Sequence, residues 1–114
     1  MAHNPKIPED PVAFIRDCVR RGNMLWTYHV NMRLEGRFIA RKSITTAVDT
    51  YELIEAYPEN KYLPSYLVLA HHGSDYFHVL FAADVSGANV RVMTAYRPVP
   101  TEWDVSLKMR RTSR

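Results

Sequence analysis

A histidine and two arginines recur at intervals of four residues, at His29, Arg33 and Arg37. In a helix of about 3.6 residues per turn, this spacing places the three side chains in one narrow stripe. Adjacent guanidinium groups favour a bound phosphate, since arginine offers planar, bidentate donors, and a neighbouring imidazole can move a proton near neutral pH. A structural network, in which the stripe bonds to carboxylates and backbone, explains the same pattern. The spacing leaves both interpretations open.

A second histidine, His78, lies inside the apolar segment Tyr76–Ala83. A histidine in such a segment either belongs to the core or faces a site. If His78 shared a cleft with His29, the two imidazoles could serve as general acid and general base. The catalytic candidates are therefore His29, Arg33 and His78, and the sequence does not tell whether they converge.

A third group is both aromatic and cationic: Tyr96 and Arg97 end an apolar segment, and Trp103 follows them. RNA-binding sites combine arginine for the phosphates with aromatic rings on which unpaired bases stack. The alternative is a plain strand end, with Tyr96 at the edge of the core. Together with one member of the helical stripe, the candidate RNA-binding residues are Arg37, Tyr96, Arg97 and Trp103.

Recognised metal and cofactor motifs are missing from the sequence. His71 and His72 are adjacent, so on a strand they would point to opposite sides, and Asp75 and His78 do not complete a known ligand spacing. There is no phosphate-binding glycine loop, no GxSxG and no HExxH pattern. We therefore predict neither a metal site nor a cofactor.

The length of 114 residues corresponds to one domain, and the 46% of hydrophobic residues indicates a folded globule. We expect residues 1–9 to be an extended lead-in and residues 10–114 to be a single domain. No apolar run approaches the roughly 20 residues of a membrane span, and the polar N-terminus lacks the apolar region of a signal peptide. The single cysteine, Cys18, is then best explained as a buried apolar residue of a cytoplasmic protein.

The net charge is only +3, but the charges are unevenly distributed. Lys and Arg outnumber Asp and Glu by eight to five in residues 1–50 and by six to two in residues 91–114, whereas residues 51–90 hold one against five. The two basic ends could fold into one positive face that suits a phosphate-bearing partner. A mixed, solvated surface is the alternative.

Helical periodicity occupies the first half of the chain. Asp10 and Pro11 favour a helix start, and apolar residues repeat at helical spacing until Gly22. A short apolar link, Met24–Thr27, precedes a second helix that begins at Tyr28. We expect its buried side to consist of Val30, Leu34 and Phe38. We expect a third helix, capped by Ser43, to bury Ile44, Ala47 and Val48.

Period-two alternation follows in four segments, which we predict to be the strands Glu52–Tyr57, Ser65–His72, Tyr76–Ala83 and Asn89–Tyr96. Short turns join them, which is typical of an antiparallel meander. Along the fourth strand, strict alternation places on one side Arg91, Met93, Ala95 and Arg97. The predicted fold is α+β, with N-terminal helices packed on one face of a four-stranded antiparallel meander sheet and a short C-terminal helix from Thr101. An exposed edge strand would permit a homodimer.

The motifs also occur in a recognisable order, namely His29-x3-Arg33-x3-Arg37-x-Ile39, Ile54-Glu55-x-Tyr57-Pro58, His78-Val79-Leu80 and Thr94-Ala95-Tyr96-Arg97-Pro98. This order resembles the DUF4258 family of small bacterial and archaeal proteins over roughly residues 26–103. The chain departs from the family pattern where Phe38 stands in place of a glycine and where Ala95 stands in place of a valine. The resemblance implies a compact α+β fold. Through the family's similarity to BrnT-like and RelE-like toxins, it also implies an RNA-cutting role that an antitoxin silences.

Three hypotheses follow. The first is a metal-independent ribonuclease of toxin–antitoxin type, in which the RNA 2′-OH attacks the adjacent phosphorus. His29 and His78 would then move protons, and the phosphate would be held by Arg33, Arg37 and Arg97. The second is a non-enzymatic module that binds nucleic acid or an acidic partner. The third is a stand-alone protein in which the stripe belongs to a buried network.

Overall fold

The structure, a computed structural model, describes residues 6–111. Its elements in chain order are α1 (Pro11–Arg20), β1 (Met24–Trp26), α2 (Tyr28–Gly36), α3 (Arg41–Thr46), a short 3₁₀ helix (Ala47–Thr50), β2 (Glu52–Tyr57), β3 (Ser65–His72), β4 (Asp75–Asp84) and β5 (Asn89–Tyr96). The predicted α+β class is confirmed. Within the predicted lead-in, residues 1–5 lie outside the described residues, and residues 6–9 are in neither helix nor strand.

The first helix begins and ends as its sequence predicts. The Asp10 carboxylate accepts a hydrogen bond from the Ala13 N–H at 3.1 Å, and a proline occupies the first helical position. The inward side of the helix buries Ile15, Cys18 and Val19. Gly22 follows the helix with φ of 77°, the left-handed conformation that glycine adopts without strain.

The end of α2 explains the unusual residue at position 38. The Phe38 N–H bonds to the Glu35 carbonyl and the Ile39 N–H bonds to the Leu34 carbonyl, at 3.2 and 2.9 Å. This pair of bonds is a Schellman motif, which requires a left-handed residue, and Phe38 has φ of 56°. The prediction that Phe38 packs inward was wrong: its side chain is 87% exposed, whereas Leu34 is buried. Helical periodicity places Phe38 on the buried side, but the helix has already ended when the chain reaches Phe38, so the side chain points outward.

The third helix also starts earlier than predicted. Its cap position is Ala40, which makes no side-chain capping bond, and Ser43 lies inside the helix rather than at its start. After Thr46 the chain tightens into the 3₁₀ helix. Ile44 and Ala47 are buried as expected, so the apolar pattern was correct although the boundary was not.

The sheet contains five strands in the order β1-β5-β4-β3-β2. The three antiparallel pairs from β2 to β5 confirm the meander. The purely antiparallel, four-stranded sheet was wrong, because β1 adds to the edge in parallel with β5, pairing Met24 with Val90 and Trp26 with Val92. A three-residue strand is too short to show alternation, and its partner β5 is the last strand of the meander, far along the chain.

A bulge in β5 changes which of its side chains share a face. Leu80 pairs with Thr94 but Phe81 pairs with Val92, so Met93 is an extra residue in the ladder. Val92 and Ala95 both join the core under the helices. The strict alternation that grouped Met93 with Ala95 was therefore wrong.

The tail is an irregular hairpin rather than the predicted helix. In this tail hairpin, residues 99–111, Trp103 forms an isolated antiparallel bridge with Arg110, and Leu107 near the tip has φ of 63°. Trp103 is buried against the sheet face opposite the helices. Two ion pairs fasten the hairpin to β2, with Lys108 to Glu52 at 2.7 Å and Arg110 to Glu55 at 2.6 Å.

These ion pairs also decide the charge distribution. The basic tail neutralises acidic side chains of β2, and it lies on the opposite face of the sheet from the basic helices. The two basic ends therefore do not form the single positive face that the sequence permitted. None of the helices in the described range 6–111 has the length and apolarity needed to cross a membrane.

Candidate nucleic-acid interface

His78 lies on the sheet face that the tail hairpin covers. Its strand neighbours Phe77 and Val79 belong to the core under the helices, and side chains alternate along a strand, so the imidazole points the other way. There it is fully buried and meets the Trp103 ring edge-on, with centroids 4.4 Å apart. Tyr96 packs on another side of the imidazole, with ring centroids 5.3 Å apart.

Both ring nitrogens of His78 are occupied by protein groups. Nε2 lies 2.7 Å from the Leu107 carbonyl oxygen, which can only accept, so Nε2 donates. This leaves Nδ1 to accept from the Tyr96 hydroxyl at 3.3 Å. Burial is the largest cause that lowers the pKa of His78, which favours this neutral form. Burial also raises the pKa of Tyr96. The structure thus brings His78, Tyr96 and Trp103 together as a closed cluster without an open cleft.

The cluster is sealed by an arginine that the sequence did not single out. The Arg110 guanidinium lies 4.6 Å above the centre of the Trp103 ring and binds both Glu55 oxygens, at 2.6 and 3.1 Å. This hydrogen bonding is the main reason why the pKa of Glu55 is lowered. Trp103 therefore has one ring face covered by Arg110 and lies nearly perpendicular to the His78 imidazole.

Arg97 joins the end of α2 to the start of β4. It holds the Asp75 carboxylate through two bonds of 2.8 and 2.9 Å, and the hydrogen bond from Arg97 is the main cause that lowers the pKa of Asp75. The same guanidinium donates to the carbonyl oxygens of Arg37 and Phe38, at 2.6 and 3.1 Å. These bonds satisfy carbonyl groups at the helix end, so Arg97 has a structural role.

Arg37 is also anchored to protein groups. Its guanidinium donates to the Ala95 carbonyl at 2.8 Å and to the Thr94 hydroxyl at 3.2 Å. These bonds cap the open edge of β5 beyond its pairing with β1. None of its bonding partners is a carboxylate, so the charge of Arg37 is not neutralised by an ion pair among the described residues.

His29 and Arg33 are exposed on the outward side of α2. The inward side of this helix is formed by Val30 and Leu34, which pack into the core on the sheet face opposite His78. The structure therefore separates His29 from His78 by the whole sheet. Within residues 6–111, neither His29 nor Arg33 forms an ion pair. Both side chains are therefore open to contact with a partner.

The exposed cations continue into the first turn of α3. Arg41 donates to the Asn31 side chain of α2 at 2.8 Å, and its guanidinium lies 4.8 Å above the centre of the Trp26 ring. Lys42 is exposed beside it. In the described part of the chain, neither Arg41 nor Lys42 pairs with a carboxylate. We call the resulting surface the basic face; it consists of His29, Arg33, Arg37, Arg41 and Lys42.

Aromatic side chains lie at both ends of α2, next to the basic face. Tyr28 is 73% exposed at the start of the helix, with its ring centroid 6.2 Å from that of His29. Phe38 is exposed beyond its end, in the strained left-handed conformation. A bulky residue with positive φ is an outlier, and such strain concentrates at functional positions. This combination of cations and aromatic rings suits a polymer that carries both phosphate groups and planar rings.

Sequence reasoning missed several members of this surface. Arg41 continues the four-residue spacing but lies in α3, beyond the end of α2, and Lys42 falls outside the spacing. Tyr28 was used only as a helix start. Phe38 did have a signal, because the resemblance seen in the sequence implies a glycine at this position. Helical periodicity predicts that Phe38 is a core residue. A glycine just after a helix instead indicates a left-handed residue that ends the helix, and a larger residue at that position points its side chain outward.

The described residues contain no group of three or more His, Cys, Asp or Glu side chains arranged to hold a metal ion. His71 instead stacks on Tyr76, with ring centroids 4.8 Å apart, and its Nδ1 lies 3.1 Å from the Gly73 carbonyl oxygen.

In a comparison with known families, residues 26–97 match the model described as "Domain of unknown function (DUF4258)". No curated protein and no solved structure matches the chain. The matched segment runs from Trp26 at the end of β1 to Arg97 at the end of β5. It thus includes the basic face, the whole meander and His78, but not α1 or the tail hairpin. Because the family model matches more than half of the chain, the chain belongs to the DUF4258 family.

Proposed function

We propose that this domain binds single-stranded RNA on the basic face without cutting it. One observation carries the proposal: cations without carboxylate partners lie next to two exposed aromatic rings, Tyr28 and Phe38. Cations bind the sugar–phosphate backbone, and exposed rings stack on bases that are not already paired. This combination favours a single strand over a duplex, whose bases are not available for stacking.

The placement of the two histidines favours binding over cleavage. Cleavage by the 2′-OH requires one group to accept a proton and another to donate one at the same phosphate. His29 is exposed on the basic face, whereas His78 is buried on the other side of the sheet with both nitrogens bonded. The pair that the ribonuclease hypothesis requires does not share a surface.

Binding is tested by fluorescence anisotropy with a labelled single-stranded RNA at low salt. We expect Arg33→Ala and Lys42→Ala each to weaken binding. Each should also reduce the slope of log affinity against log salt by about 0.7, as expected for one lost phosphate contact on a single strand. The matched control is Arg21→Ala, which removes an exposed arginine that pairs with Asp17 at the end of α1. Equal effects of all three substitutions would contradict the proposal.

A ribonuclease of toxin–antitoxin type is the second candidate, and the exposure of His29 one helical turn from Arg33 favours it. In that case His29 would be the proton-transfer group, Arg33 would hold the phosphate, and an antitoxin would cover the basic face. Gel analysis of the same RNA after incubation distinguishes the two candidates. RNA that remains full-length while bound supports the binding module. Cleavage that His29→Ala abolishes would replace it with the ribonuclease.

A further inference from the structure

A pocket of about 450 Å³ opens on the sheet face opposite the basic face. It lies on the same face of the sheet as the tail hairpin but at the other end of the strands. Its lining residue Ala82 follows His78 by four positions along β4, a distance of roughly 13 Å. Its volume is within the range of about 300–1,000 Å³ that is usual for small-ligand sites. Neither the family match nor the proposed RNA binding assigns a role to this pocket.

The wall of the pocket combines two cations with one exposed aromatic ring. Lys61 and Tyr62 come from the loop between β2 and β3, with the ammonium group 5.4 Å from the centre of the Tyr62 ring. Tyr62 is 79% exposed. Arg91 comes from β5, so the two cations approach the pocket from different elements.

Arg91 is held only loosely by the protein. Its guanidinium is 3.9 Å from the Asp84 carboxylate, at the limit of an ion pair. That carboxylate already accepts bonds from the Gly87 N–H at 2.9 Å and the Asn89 side chain at 3.3 Å. Asp84 is thus occupied by its own turn, and the Arg91 guanidinium keeps donors for an anion.

The bulge in β5 supplies the apolar part of the site. Met93, the extra residue of the ladder, lines the same pocket as Arg91, whereas Val92 between them joins the core. Bulges often reorient a side chain beside a binding site. Met93 is 43% exposed, and its thioether provides a soft surface for a planar ring.

We propose that this pocket binds a small planar anion, with the size and chemistry of a nucleoside monophosphate. The planar ring of this ligand lies between Tyr62 and Met93, and its anionic group is held by Lys61 and Arg91. The apolar and cationic parts are both needed, so neither the ring alone nor the anion alone should bind as well as the joined molecule.

The test is a two-dimensional ¹H–¹⁵N NMR titration with each of the four ribonucleoside monophosphates, with adenosine and inorganic phosphate as separate arms. We expect at least one monophosphate to shift the amides of residues 60–65 and 91–93, and to bind more tightly than either separate arm. Tyr62→Ala and Arg91→Ala should each weaken this binding by about tenfold or more. Arg21→Ala, on α1, should leave it unchanged.

Three results would overturn the proposal. The first is the absence of amide shifts in the pocket at roughly 5 mM of every monophosphate, a concentration that detects even weak sites. The second is binding of inorganic phosphate as tight as that of the nucleotides, which would show a nonspecific cation pair. The third is a shift pattern centred on residues 28–42, which would assign the nucleotide to the basic face instead.

Discussion

Replacing Phe38 by glycine should stabilise the fold and weaken RNA binding at the same time. The residue combines a left-handed backbone, with φ of 56°, and a side chain that is 87% exposed. Glycine removes the backbone strain, and almost no buried contact is lost with the ring. The substitution therefore separates what position 38 does for folding from what it does for binding.

Two opposing effects set the change in the free energy of unfolding that Phe38→Gly should cause. A non-glycine residue in the left-handed region costs about 1–2 kcal/mol. Glycine has more freedom in the unfolded chain, which offsets about 0.4–1 kcal/mol of the gain. We expect a net increase of about 1 kcal/mol in the free energy of unfolding, or a rise of about 4 °C in Tm. The loss of one stacked base weakens RNA affinity by about 1–3 kcal/mol, or about 5- to 150-fold.

Urea denaturation and RNA anisotropy on the same preparations measure both effects. Phe38→Ala is the matched control, because it removes the ring but retains the strained backbone. It should weaken RNA binding as much as Phe38→Gly does, with little gain in stability. If Phe38→Gly destabilised the protein, the left-handed end of α2 would be wrong. If both variants bound RNA like the parent, the stacking role of Phe38 would be refuted.

Three further predictions concern the fold. Because burial lowers the pKa of His78 below its unfolded value of about 6.5, the unfolded chain binds more protons just below that pH. Stability should be complete above about pH 7 and decline as the pH falls towards 5. His78→Gln should flatten this decline in urea midpoints, and an unchanged slope would contradict the burial. Trp103→Ala should lower the free energy of unfolding by about 3–5 kcal/mol in the same assay. Val105→Ala, at a position that is 93% exposed on the same hairpin, should change it by less than about 0.5 kcal/mol. Similar losses for the two variants would show that the hairpin does not pack on the sheet. Gly36→Ala, in α2 with open space around it, should raise the thermal midpoint by stabilising the fold by about 0.4–1 kcal/mol. Gly22→Ala should lower the midpoint, since φ of 77° is strained for alanine at about 1–2 kcal/mol, and the opposite order would refute both backbone assignments.

The meander could be predicted from sequence because its information is local. Each long strand shows its own alternation, and turn residues mark its ends, so the bounds of β2, β3 and β5 agreed with the structure. The features that the sequence did not reveal are set by distant contacts. The parallel pairing of β1 depends on β5, and the tail hairpin depends on contacts of Trp103 and Arg110 with the sheet.

The sequence predicted the positions of some candidate residues but not which of them lie together. Periodicity correctly placed His29 and Arg33 on the exposed side of α2. It could not reveal that His78 faces the other side of the sheet, because the near-continuous apolar pattern of β4 does not distinguish its two faces. It also could not assign Arg97 to the end of α2, since that contact joins residues about 60 positions apart.

The proposed function requires RNA to contact the basic face and not the face that contains His78. Amide chemical-shift mapping during titration with single-stranded RNA tests it most directly. We expect shifts concentrated in residues 28–42, with the amides of His78, Tyr96 and Trp103 unchanged. Shifts centred on those three residues and the tail hairpin, or no shifts at all, would contradict it.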